Sequence, residues 1–193
     1  MKKKSTVITV IVMLLVAAAI VAGYFIISAR KNKENYEGGE RTELDILLEK
    51  DLDKSYPLTS REVIKFYSRI LKCYYNEELT EEQLGGLLDQ MRGLFDEEFL
   101  AQNPRDTHLS ELEEEIRDFA ARKCKITSYQ VQQSGNIVTW TDEEKEYARV
   151  IASYTQQEDR KYFKVYEEFI LRKDENGRWK ILGWYLTDAD AMK

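Results

Sequence analysis

The stretch Phe169–Leu186, FILRKDENGRWKILGWYL, decides the fold. Asn176-Gly177 is a strong hairpin signal, because both residues tolerate the positive φ that tight turns need. The arm before it belongs to Tyr162–Lys173, where Phe163, Val165, Phe169 and Leu171 share one side and Glu167 interrupts them. The arm after it, Arg178–Thr187, sets Trp179, Ile181 and Tyr185 against Leu182, Trp184 and Leu186. A period of two on both sides of such a turn predicts paired antiparallel strands.

The same period extends upstream. Tyr147–Thr155 places Ala148, Val150, Ala152 and Tyr154 on one face, and Lys125–Gln132 alternates around Ile126, Tyr129 and Val131 with one slip. Before Cys124 the period becomes helical. Thr59 with Glu62 forms a capping-box pattern, with Leu58 and Val63 as its hydrophobic staple. Val63, Phe66, Tyr67, Ile70, Leu71 and Tyr74 follow as one apolar stripe. Thr80 with Gln83 repeats the box, and Leu84, Leu87, Leu88, Met91 and Phe95 form the second stripe. Gly85-Gly86 within it permits close packing. Asn103-Pro104 breaks the chain, and Ser110 with Glu113 opens a third helix along Leu112, Ile116, Phe119 and Ala120. Helices followed by a strand meander predict an α+β fold. Three N-terminal helices would cover one face of a curved antiparallel sheet of four to five strands.

Val7–Ile27 has no charged side chain. Its length as a helix, about 31 Å, suits a transmembrane span. A cleaved signal peptide is the rival reading, with a shorter apolar core. The retained anchor predicts a single-pass protein of the cell membrane, with its basic head in the cytoplasm and its folded domain extracytoplasmic. The expected organisation is a head over 1–6, an anchor over 7–28, a tether with a short helix over 29–57, a domain over 58–187 and a tail over 188–193. Residues 35–193 carry 23 basic against 34 acidic side chains. That balance argues against nucleic acid, which is bound through clustered Lys and Arg.

The helix-then-meander order and the Phe169–Leu186 hairpin resemble the NTF2-like (cystatin-like cone) superfamily over Thr59–Thr187. The stretch YPLTSREVIKFYSRILKCYYNEELT, residues 56–80, is similar to uncharacterised single-pass, membrane-anchored NTF2-like proteins of Gram-positive bacteria. The resemblance implies a cone closed by helices. It leaves function open, because the superfamily spans dehydratases, isomerases, transport factors and conjugation-channel subunits.

The chemistry-bearing residues are few. There is no Gly-rich phosphate loop, no HExxH and no Ser/Cys–His pairing signal, so no catalytic residue, metal ligand or cofactor is assigned. His108, the only histidine, reads as a solvent-facing loop residue. Tyr67, Tyr147, Glu167 and Trp184 are the candidates for lining a ligand pocket inside the cone. The acidic run Glu111, Glu113, Glu114, Glu115 and Asp118 reads first as a solvated helix face. Cys73 and Cys124 either pair in a disulfide or remain two small buried thiols. The expected function is a tethered, non-catalytic binding or scaffold module. Its partner would be a protein or a second copy of itself, as in an accessory subunit of an envelope, secretion or conjugation assembly. The alternatives are a small-molecule receptor using the cone and, behind it, a dehydratase- or isomerase-type enzyme.

Overall fold

A computed structural model describes residues 41–192. Residues 43–193 form one compact unit. Its five helices are α1 (Glu43–Leu48), α2 (Ser60–Asn76), α3 (Glu81–Arg92), α4 (Glu97–Gln102) and α5 (Arg105–Ala121). Its five strands are β1 (Cys124–Val131), β2 (Val138–Asp142), β3 (Lys145–Glu158), β4 (Lys161–Lys173) and β5 (Trp179–Thr187).

All strand pairs are antiparallel. The order is β1-β3-β4-β5, and β2 pairs with the first half of β3 beyond the reach of β1. The slip in the first strand is an irregularity between Ile126 and Ser128. The β4–β5 loop is longer than a two-residue turn. Gly177 adopts φ +73°, and Asp174 Oδ1 accepts from the backbone N–H groups of Asn176 and Arg178. Glu143 and Glu144 both take positive φ and turn β2 into β3 without glycine.

Both threonine capping boxes are formed, with Thr59 at the start of α2 and Thr80 at the start of α3. Leu58, however, is 87 % exposed and staples nothing. The third helix starts at Arg105 rather than Ser110, because Pro104 already terminates α4 and serves as the N-cap. Asp96 caps the additional helix α4, its side chain accepting from Glu98 N.

Two broader sequence expectations are also corrected. The helical layer has five helices, where three were expected. No helix among the described residues is long and apolar enough to cross a membrane. The expected span at Val7–Ile27 lies outside those residues. The single-pass membrane protein, its extracytoplasmic domain and the localisation built on them are therefore withdrawn.

The core lies between the helices and the inner face of the sheet. Ile64, Ile70, Leu87 and Leu88 meet Ala148, Val150, Phe169 and Leu171 there, all fully buried. Phe163, expected in that row, is 38 % exposed toward the far end of β4. Helix α1 falls within the stretch read as a tether but belongs to the core through Leu47, which has no exposure. Gly86 admits it: a Cβ there would sit 2.8 Å from Leu48 Cδ2.

One buried ion pair joins the layers. Arg172 of β4 forks onto Asp96, with Nη2 2.6 Å from Oδ1 and Nε 3.1 Å from Oδ2. Both side chains are nearly inaccessible. Beside it, Asp96 N donates to Ile181 O and Ile181 N donates to Leu94 O, so the α3–α4 connection lies along β5.

Two substitutions test this architecture. Leu47→Ala should cost about 2–5 kcal/mol in urea denaturation, as for a core leucine; a neutral result would detach α1 from the core. Arg172→Met should cost about 3–5 kcal/mol, because it strands the buried Asp96 carboxylate. Adding Asp96→Asn should recover part of that loss, since the neutral amide still caps α4.

Candidate functional site

Between α2, α5 and the inner face of the sheet lies a cavity of about 130 Å³. Helix α2 lines it with Tyr67, Leu71, Tyr74 and Tyr75. Helix α5 contributes His108, Leu112, Glu115 and Phe119, positions separated by four, three and four residues along one helix face. The sheet floor adds Ile126, Tyr154, Gln156, Glu167 and Trp184. A wider concavity of about 760 Å³ lies around the β3–β4 turn at Glu158–Phe163. It is formed by mostly exposed residues and brings no buried group to a focus.

Glu167 dominates the electrostatics. It shares the inner face of β4 with Phe169 and pairs across the ladder with Ala152, which brings only a methyl group. Its Oε2 atom is buried without a hydrogen-bond partner. Burial, then the charge of Glu115, pushes its carboxyl up to about 7. Glu168, the next residue, has the opposite fate. It faces the other way, accepts from the Tyr185 hydroxyl and lies 3.8 Å from Arg149.

Four tyrosines share the cavity with this carboxyl. Ser68 donates its only hydroxyl proton to the Ile64 carbonyl (2.7 Å), so Tyr154 must donate to Ser68 Oγ (3.0 Å). Tyr74 is 1 % exposed, and its hydroxyl has no partner. Burial first, and then the Glu167 charge, holds Tyr67 and Tyr154 well above the ordinary phenol range. Burial and Glu115 do the same for Tyr75. Tyr75 stacks on Phe119 at 4.0 Å. Trp184 is flanked by Tyr67 at 5.8 Å and Phe95 at 5.8 Å.

His108 is not the solvent-facing loop residue that the sequence predicts. The early start of α5 puts it in the first turn, half-buried, stacked on Phe95 and facing the cavity. Arg92 Nη1 lies 3.4 Å from His108 Nδ1. A guanidinium can only donate, so Nδ1 accepts and the ring proton sits on Nε2. Burial, then Arg92, lowers the histidine below its usual titration range.

Of the four pocket candidates, the structure brings Tyr67, Glu167 and Trp184 together. Tyr147 lies elsewhere: its parity is opposite to Ala148, and it stacks on Trp140 at 5.4 Å. Tyr75, His108, Glu115 and Tyr154 were not among the candidates. The i, i+4, i+7, i+11 spacing from His108 through Phe119 carries the signal for the α5 members, once the helix is started at Arg105. The acidic run on α5 divides accordingly, with only Glu115 reaching the cavity. Among the described residues no group of three or more His, Cys, Asp or Glu is placed to hold a metal ion. Cys73 and Cys124 are free, buried thiols. Cys124 Sγ points to Gln156 Oε1 at 3.7 Å, and burial pushes the Cys73 thiol up to about 11.

Glu167 makes stability depend on pH with a definite sign. The unfolded chain ionises it near 4.5, whereas the folded chain holds its proton to about 7. The wild type therefore loses stability as pH rises through that window, by about 3 kcal/mol at its upper end. Glu167→Gln should match the wild type near pH 4 and exceed it by about 3 kcal/mol at pH 8. Urea denaturation across that range checks this, and a gap independent of pH would assign the titration to another group.

No curated protein matches the chain. The model of a protein family described as a domain of unknown function, DUF6715, matches residues 1–184. That match covers nearly the whole sequence, and the chain belongs to this family.

Proposed function

We propose that this protein is a small-molecule binding module whose ligand site is the cavity beneath α2 and α5. The observation that carries this reading is the buried, unpartnered Glu167 Oε2 in an aromatic-lined cavity. A carboxylate oxygen without a partner costs free energy that a sheet-forming residue such as Val at the same position would avoid. A ligand that bonds to it recovers that cost. The volume sets the scale of the ligand. Each water claims about 30 Å³ of liquid, so the cavity holds about four waters or a molecule of about six heavy atoms. Drug-sized ligands occupy roughly 300 Å³ or more and would require α5 to move. The order of helices and strands also supports the resemblance to NTF2-like cones, in which the space under the helices is the natural ligand site.

An acid–base enzyme of isomerase or dehydratase type is the second reading. It is favoured by one observation: a carboxyl that titrates near neutrality is suited to move a proton. The two readings differ in what happens to a bound molecule.

Fragment titration followed by NMR of the full-length chain tests the proposal. Binders should shift the Trp184 indole N–H and the amides of Tyr67 and Tyr154, while Trp140 stays unmoved. Shifts confined to the outer face of the sheet would overturn it. Mass spectrometry of the recovered fragment then separates the readings, because a binding module returns it unchanged.

A further inference from the structure

We propose that the cavity selects a small organic cation, an amine or a methylated ammonium group. This inference rests on the binding reading above and names the chemical class of its ligand. Two carboxylates, Glu115 and Glu167, reach the cavity, and no lysine or arginine is among its lining residues. His108 brings no compensating charge, because its Nδ1 accepts from Arg92 and its ring is neutral. Above the range in which Glu167 holds its proton, the charge inside is negative, which repels an anionic ligand.

The walls point the same way. Tyr67, Tyr75, Tyr154 and Trp184 line a space of about 130 Å³; Phe119 lines it too, but it stacks on Tyr75 and already carries the Arg122 guanidinium over its ring. The faces of such rings carry negative potential and attract ammonium groups, most strongly where water is excluded. Tetrahedral methylated ammonium has about five heavy atoms, and its size suits a cavity of about four water volumes. A neutral apolar ligand would fill the same space but leave Glu167 Oε2 without its partner. A cation satisfies both the carboxylate and the rings. The Tyr154 hydroxyl does not compete for the carboxylate, because it already donates to Ser68.

Matched probes separate charge from shape. Tetramethylammonium, tert-butanol and pivalate have similar branching and differ in charge. Each is titrated into the full-length chain at pH 8, where Glu167 is ionised, while the Trp184 indole signal is followed, with sodium chloride as the ionic-strength control. The proposal expects tetramethylammonium to bind about tenfold or more tightly than tert-butanol, and pivalate not to shift the signal. Glu167→Gln should abolish most of that preference while leaving tert-butanol binding intact. This variant removes a buried charge, so it is expected to fold, and its own Trp184 signal confirms that. Equal or tighter binding of tert-butanol, or a preference for pivalate, would overturn the cation while leaving the ligand site standing. If none of the three probes shifts Trp184, both the cation and the cavity as a ligand site fall.

Discussion

The β3–β4 ladder is the constraint on which everything else hangs. Its twelve pairs run without a break from Tyr147↔Arg172 to Glu158↔Lys161. β1 and β2 attach to β3, and β5 attaches to β4, so the ladder sets the register for the whole sheet. It also sets which side chains meet the helices. Side chains alternate along a strand, and a slip by one residue would turn every one to the other face. In this register Glu167 faces inward and Glu168 outward. One step of slip would turn Glu168 toward the helices and Glu167 away from the cavity.

The two buried acids of the helix–sheet interface are treated in opposite ways. Asp96 is matched by a two-pronged guanidinium and also caps a helix. Removal from water is thus offset by several charge-assisted bonds. Glu167 has no such compensation, and burial lets its carboxyl hold a proton up to about 7. A domain is stable by only about 5–15 kcal/mol, so a misfit of a few kcal/mol is a large fraction. Local rules broken without compensation tend to mark sites of function. The contrast with Asp96 shows that this fold has the means to satisfy a buried acid, and that the cavity does not use them.

Much of this was legible in the sequence because it depends on neighbours close in the chain. Thr59 and Thr80 announce their helices through contacts three residues away. The strand faces follow from parity alone, and parity placed Glu167 and Phe169 together. What was not legible depends on distant partners or on competing signals. β2 is only five residues long and exposed along its whole length, so its brief Val138/Trp140 alternation marks no buried face. The third helix carries a Ser110/Glu113 pattern that resembles a start, and this hid the true start at Pro104–Arg105 and, with it, the orientation of His108. The burial of α1 depends on a gap at Gly86 that only the packed structure reveals. The apolar run at Val7–Ile27 suggests a spanning helix by length alone, and the described residues contain none.

The borders of the sheet carry a further meaning. On β1, Asn76 takes both backbone groups of Ile126, its amide donating to the carbonyl and its oxygen accepting from the N–H. Arg61 donates to the carbonyls of Val131 and Gln132. On β5, Leu94 and Asp96 occupy both backbone groups of Ile181. Unsatisfied strand edges are templates for foreign strands and for self-association into fibres. Here the helical layer interrupts those templates at single positions, with one asparagine, one arginine and one short connection. β2, which pairs only with β3, is five residues long. The helices that build the cavity therefore also occupy part of the sheet's exposed edge.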